Sequence, residues 1–170
     1  SACNTEGCTK RCYDDWETGR RSRYCDDCQD RKRKANAADT ARAWLDADPV
    51  ILDSETTGLD DNAEIVELAL IDSQGNTLID TLIKPIDPIP QEVINIHGIT
   101  NEMVQDAPTF AEVIPELLRH AEGRPIVVYN SEYDNRLIKQ SAVKSGMPSE
   151  ELWHLIDSQS NHCLMKLYAW

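Results

Sequence analysis

Two carboxylates, Asp53 and Glu55, stand at alternate positions just after the apolar run Pro49-Val50-Ile51-Leu52, and a third, Asp134, follows the apolar run Ile126-Val127-Val128. Side chains two apart on a strand leave the same face, so Asp53 and Glu55 project together. Carboxylate oxygens are hard ligands suited to Mg²⁺ or Mn²⁺. Asp134 opens a helical pattern through Leu137, Ile138 and Val143, read as inward, that stops at Gly146 and Pro148. It therefore offers its charge from a helix N-terminus, where the macrodipole favours an anion. Carboxylates at strand and helix ends together point to metal-assisted phosphoryl transfer.

A second chemistry lies at the start of the chain. Five of the six cysteines, Cys3, Cys8, Cys12, Cys25 and Cys28, fall within the first 28 residues. No secretory context accompanies them, so zinc explains the cluster better than disulfides. Cys25-x2-Cys28 is a knuckle able to fill two corners of a zinc tetrahedron, and Cys3 and Cys8 offer the other two. Cys12 competes for a place, but a closed site takes four ligands, and Cys12 is read as the spare. Zinc would supply the folding energy of a module too small for its own core. The module could bind nucleic acid, dock a protein partner or cap the rest of the chain. Cys163, on an apolar helical pattern, reads as a packed core thiol.

The elements that hold these residues follow from periodicity. Residues 1–34 form the cysteine module, residues 35–48 a helical linker, and residues 49–170 the main domain. Strands are expected at Val50–Leu52, Glu64–Asp72 and Thr77–Lys84, the last two joined by a turn at Ser73-Gln74-Gly75-Asn76. A short helix at Gln91–Asn95 leads into a loop His97-Gly98-Ile99-Thr100. Phe110, Val113, Ile114, Leu117 and Leu118 mark a helix capped by Thr109. Pro125–Tyr129 makes a fourth strand, Trp153–Asp157 a short fifth, and residues 161–170 begin another helix. A meander followed by alternating strands and helices is an α/β arrangement with a mixed five-stranded sheet.

Charge separates the two ends of the chain. The net charge of −13 divides into +2 over residues 1–43 and −15 over residues 44–170. An acidic body argues against a broad electrostatic grip on nucleic acid. The runs Arg20-Arg21-Ser22-Arg23 and Arg31-Lys32-Arg33-Lys34 are the dense positive patches, either able to touch a phosphate backbone or to serve as solvated surface. No stretch reads as a signal peptide or membrane span, which gives the expectation of a soluble, cytoplasmic protein.

Asp53-Ser54-Glu55-Thr56-Thr57-Gly58, Ile96-His97-Gly98-Ile99-Thr100 and Asn130-Ser131-Glu132-Tyr133-Asp134-Asn135-Arg136-Leu137, in that order, resemble the DnaQ-like exonucleases of the DEDD superfamily. The likeness covers residues 49–170. It implies a ribonuclease H-like fold with sheet order 3-2-1-4-5, and removal of nucleotides from the 3′ end of DNA or RNA as nucleoside monophosphates. It also implies two divalent ions, Mg²⁺ or Mn²⁺, about 4 Å apart, one activating water and the other stabilising the leaving oxygen. By the same resemblance Asp53 bridges the ions, Glu55 holds the water-activating one, and Asp134 serves the other through its shell. Thr56, Thr57, Leu59, His97 and Asn130 take substrate-binding places, with Leu59 wedged against the terminal base.

One part of the family pattern does not occur. Its third motif sets a His or Tyr shortly before a last metal-binding Asp on a late helix. His154 precedes Asp157 by only three residues, and neither His162 nor Tyr168 is followed by an Asp at that spacing. This stretch therefore lacks the last helix, the general base and the fourth carboxylate, and is expected to be weak or inactive alone. A non-catalytic module that binds nucleic acid or a partner on the same fold is the alternative. A structural zinc protein whose acidic body mimics nucleic acid is a third reading, though mimicry requires no spaced Asp53 and Glu55.

Overall fold

The computed structural model describes residues 2–10, 12, 23–147, 150, 152 and 162–168. Two compact units divide between Ala43 and Trp44. In the first, the cysteine loops lead into helix α1, Asp26–Asp46, whose first turn carries Asp26 and Asp27 where the helix dipole favours them. The knuckle and the alanine-rich segment thus share one helix. Cys28 is its one buried residue. Of the two basic runs, Arg20 to Ser22 lie outside the described residues.

The second unit is built on a mixed sheet. Strand β1, Val50–Thr56, pairs antiparallel with β2, Ile65–Asp72, which pairs antiparallel with β3, Thr77–Leu82. On its other side β1 pairs parallel with β4, Ile126–Val128. The order is β3-β2-β1-β4. The β2–β3 turn is held by Asp72, whose Oδ1 accepts the Gln74 and Asn76 N–H groups at 2.9 and 2.8 Å. Gly75 supplies the positive φ of 85° that the turn needs.

Among the described residues the sheet has four of the expected five strands. Trp153–Asp157, read as the fifth strand, lies outside the described residues. On the side of β4 away from β1, Cys163 bridges Val128 in parallel. There the Val128 N–H donates to the His162 carbonyl at 3.2 Å and the Met165 N–H to the Tyr129 carbonyl at 2.7 Å. After Cys163 the chain winds into the short helix α5, Leu164–Tyr168. Cys163 is buried, and its thiol donates to the Tyr129 carbonyl at 3.3 Å.

Helices α3, Phe110–Ala121, and α4, Ser131–Lys144, pack on the sheet face carrying Val50, Leu52, Leu68, Leu70 and Ile79. Thr109 starts α3 with a capping box, its N–H donating to Glu112 Oε2 at 2.7 Å. Phe110, Val113, Ile114 and Leu117 fill the core, as their spacing predicts. Leu137 and Ile138 of α4 do likewise. Val143, expected inward, is 62% exposed, because the buried stripe advances through Asp134, Leu137, Ile138, Ser141 and Ala142 and leaves 143 outside it.

Helix α2, Gln91–His97, runs two residues further than its sequence suggests, so His97 closes the helix rather than opening a loop. Gly98 ends it with φ 81°, its N–H donating to the Ile94 carbonyl at 2.8 Å. A second apolar cluster of Val66, Ile89, Ile99 and Val104 anchors this region.

Candidate active site

The acidic motif sits inside β1, not after it. Ladder pairing sets Asp53 opposite Ala69 and Glu55 opposite Glu67, and Ala69 opposite Asp80 on β3. Directly paired residues share a face, so Asp53, Glu55, Glu67 and Asp80 line the side of the sheet away from α3 and α4. Burial pushes the Glu67 carboxyl above its usual range, and the charges of Glu55, Asp80 and Asp53 push it the same way. Glu67 escapes a reading of sequence, because the connection from Thr56 to Ile65 has no tight turn to fix the β1–β2 register, and Asp80 joins the row only through that register.

Asp134 comes from the first turn of α4 and is 7% exposed. Ser54 Oγ donates to its Oδ1 at 2.9 Å. Burial holds its carboxyl above the ordinary aspartate range; the Ser54 hydroxyl works against that shift and the charge of Asp53 adds to it. Asp134 thus lies within electrostatic reach of Asp53. Among the described residues, only the cysteines bring three or more metal-ligating atoms within 4.8 Å of one another. The three carboxylates do not draw that close.

The Thr56 and Thr57 side chains are buried and engaged internally. Thr56 Oγ1 donates to the Gly58 carbonyl at 2.8 Å, and the Tyr133 hydroxyl donates to the same carbonyl at 3.0 Å while lying 2.9 Å from Thr56 Oγ1. Thr57 Oγ1 accepts the Glu64 N–H at 2.9 Å. His97 Nε2 is 3.2 Å from the Thr56 carbonyl, and Nδ1 accepts the Ile99 N–H at 3.0 Å. Asn130 precedes α4 as its N-terminal flanking residue. Leu59 is 77% exposed at the tip of the loop after β1.

That loop is stapled from one edge of α4. Arg136 donates to the Leu59 carbonyl at 3.0 Å, Gln140 to those of Asp60 and Ala63 at 3.1 and 3.0 Å, and Lys144 to that of Asn62 at 2.8 Å. The spacing i, i+4, i+8 puts all three donors on one stripe. The far end is fixed by Glu64, a buried carboxylate that sequence reasoning missed; it accepts the Ile86 and Asp87 N–H groups at 3.0 Å each and faces Lys144 at 3.4 Å.

In the first unit, Cys3, Cys8, Cys25 and Cys28 bring their sulfurs within 4.8 Å of one another, with Cys8 and Cys25 3.6 Å apart. Four thiolates around zinc at about 2.3 Å stand about 3.8 Å apart, so the quartet fits that ion. Cys12 is buried against them but outside the quartet. Arg31 donates to Cys28 Sγ at 3.1 Å, opposing the charge a tetrathiolate site carries, and Lys10 pairs with Asp27. The Thr5 hydroxyl holds the Cys3 thiol down to about 5, while burial pushes Cys25 up to about 12.

Residues 50–163 match the profile of a family described as Exonuclease. The chain belongs to this family. It is 43% identical over 135 residues to the uncharacterized exonuclease CP81 of Escherichia phage 186, covering 79% of this chain and 69% of that one. Its identity to the DNA polymerase III subunit epsilon of Escherichia coli strain K12 is 30% over 95 residues, covering 50% of this chain and 39% of that one. The nuclease domain of 3′hExo, whose solved structure holds rAMP, superposes with a TM-score of 0.51 at 16% identity, covering 59% of this chain and 60% of that one. That likeness shows the ribonuclease H-like fold. The exonuclease-family match, with three motifs on that fold, makes this a DnaQ-like nuclease chain, although it spans well under half of the epsilon subunit.

Proposed function

We propose that the chain carries the core of a metal-dependent 3′-to-5′ exonuclease that hydrolyses phosphodiester bonds and releases nucleoside monophosphates. The observation that supports this best is the placing of Asp53 and Glu55 on one sheet face, with Asp134 tied to Ser54 between them on the same strand. The donor set fits a divalent ion by its chemistry: carboxylate oxygens, one buried, with no competing cation among their hydrogen-bond partners in the described residues. Asp53 and Glu55 would hold Mg²⁺ or Mn²⁺, with Asp134 in support. When bound, such ions supply an activated water and neutralise the leaving oxygen.

The chain's own groups do the rest. Ser54 keeps the Asp134 carboxylate turned toward β1, and Tyr133 and Thr56 fix the turn at Gly58. The stapled loop presents Leu59 to solvent, where it can meet the last base of a strand. Asn130, the residue before α4, would orient the strand's sugar and phosphate. The name of the epsilon-subunit relative favours DNA as substrate, with RNA as the other choice. All six cysteines are free, which suits the reducing cytoplasm. Among the described residues, no helix is long and apolar enough to cross a membrane. The cysteine module, residues 1–34, would bind one structural zinc ion and offers a surface for nucleic acid or a partner.

Because the third motif does not occur in this stretch, its activity alone should be weak. The test is incubation with Mn²⁺ and matched 5′- and 3′-labelled single strands. Loss of the 3′ label first, as a mononucleotide, supports the reading; loss of the 5′ label first, or internal cutting, refutes it.

A further inference from the structure

The His97 ring is bound at both nitrogens to backbone. The Ile99 N–H points its hydrogen at Nδ1 from 3.0 Å, so Nδ1 presents a lone pair. A neutral ring then carries its proton on Nε2, and the group 3.2 Å away is the Thr56 carbonyl, which can only accept. Geometry at the helix end produces this state. Gly98, with φ 81°, turns the chain back so that the Ile99 N–H meets the ring two residues before it.

The need for a donor at Thr56 is equally local. Backbone groups of β1 alternate between its two neighbours: the Val50 N–H donates to the Pro125 carbonyl on the β4 side and the Thr57 N–H to the Glu64 carbonyl on the β2 side, so Thr56, in step with Val50, turns its carbonyl toward the β4 side. Pairing with β4 ends at Leu52 opposite Val128, so the Thr56 carbonyl has no strand partner on that side, and a carbonyl shielded from water requires a donor. His97 supplies it, across 41 residues of chain.

We propose that His97 is a positioning residue for the carboxylate pair: its Nε2–H fixes the Thr56 peptide, and with it the direction in which Glu55 leaves the end of β1. The proposal rests on the reading of Asp53 and Glu55 as holders of a divalent ion. With both nitrogens occupied, the ring serves neither as a base nor as a hydrogen-bond partner of the substrate. Outer groups that orient a metal's ligands typically change its affinity 10- to 100-fold when removed.

The test uses the full chain in four forms: wild type, His97→Gln, His97→Leu and Asp53→Asn. Long-range ¹H–¹⁵N correlation of the histidine rings, with the His97 signal assigned by its loss in His97→Gln, should show Nε2 protonated and Nδ1 bare at neutral pH. Mn²⁺ binding, read by the electron paramagnetic resonance of the free ion, should weaken about tenfold in His97→Leu. His97→Gln, whose amide N–H can reach Thr56, should stay close to wild type. Affinity for a single-stranded oligonucleotide without divalent ions should not change. An Nδ1-protonated ring, wild-type Mn²⁺ affinity in His97→Leu, or His97→Gln no better than His97→Leu each overturns the proposal. A drop in metal-free oligonucleotide affinity would show a substrate contact instead. If His97→Leu does not fold, the ring tautomer and His97→Gln still decide. Equal Mn²⁺ binding by wild type and Asp53→Asn overturns the metal reading itself, and the tautomer then tells separately whether the bond to Thr56 exists.

Discussion

Ser54 and Asp134, 80 residues apart in the chain, are joined by a 2.9 Å hydrogen bond from hydroxyl to carboxylate. Ser54 faces opposite to Asp53 and Glu55 on β1, so one strand presents two carboxylates on one side and holds a third from the other. Neither residue could be paired with its partner from spacing alone.

The Asp134 bond leads to a stability prediction. Burial raises the Asp134 pKa in the folded chain, so the ionised carboxylate weakens folding at neutral pH. Asp134→Asn should therefore melt higher than wild type at pH 8. As pH falls through the raised folded value, wild-type Asp134 protonates and the gap should close. Thermal melts from pH 8 to pH 4 check this, and a lower melting temperature for Asp134→Asn at pH 8 would count against it. The same variant should lose Mn²⁺-dependent degradation, separating stability from function.

Asp53→Ala should abolish ion-dependent degradation in any form of the protein that also carries the third motif, without lowering the melting temperature. Asp53 lies on the open sheet face and makes no core contact. Retained cleavage of a 3′-labelled strand would refute its metal role.

Tyr133→Phe removes the hydroxyl bonded to the Gly58 carbonyl and close to Thr56. The cost should be about 1 kcal/mol in urea unfolding, the usual net worth of such a bond. Since the Thr56 hydroxyl still donates to Gly58, degradation should fall only a few-fold. A loss as deep as that of Asp53→Ala would place Tyr133 in the chemistry instead.

One zinc ion per chain should be released when the thiols are titrated with a mercurial, measured with a colorimetric chelator. Cys25→Ser should abolish that zinc and expose the first unit to proteolysis, because the ion's binding energy is its folding energy. Cys12→Ser should keep the full equivalent. Loss of zinc in Cys12→Ser, with retention in Cys8→Ser, would reassign the ligands.

Legibility followed the range of each constraint. The two-residue period of β1 and the 3.6-residue period of α3 are local, so Asp53 with Glu55 and the buried face of Phe110 to Leu117 could be read directly. Glu67 opposite Glu55 could not, because register across a long connection is set by packing. His97 looked like a loop residue because its role depends on a carbonyl 41 residues earlier that the short β4 does not reach. Val143 was misplaced because an apolar residue near a helix end need not fall on the buried stripe.

The loop that carries Leu59 is gripped almost wholly by its carbonyl oxygens, which Arg136, Gln140 and Lys144 read in turn. Every residue type offers the same carbonyl. Asp60 and Asp61 add one side-chain contact each, to the Asn62 N–H at 2.8 Å and to Arg136 at 3.3 Å, but the path of the loop rests mainly on backbone, so a changed side chain at its tip, Leu59, can alter substrate preference without disturbing the carboxylates at its base.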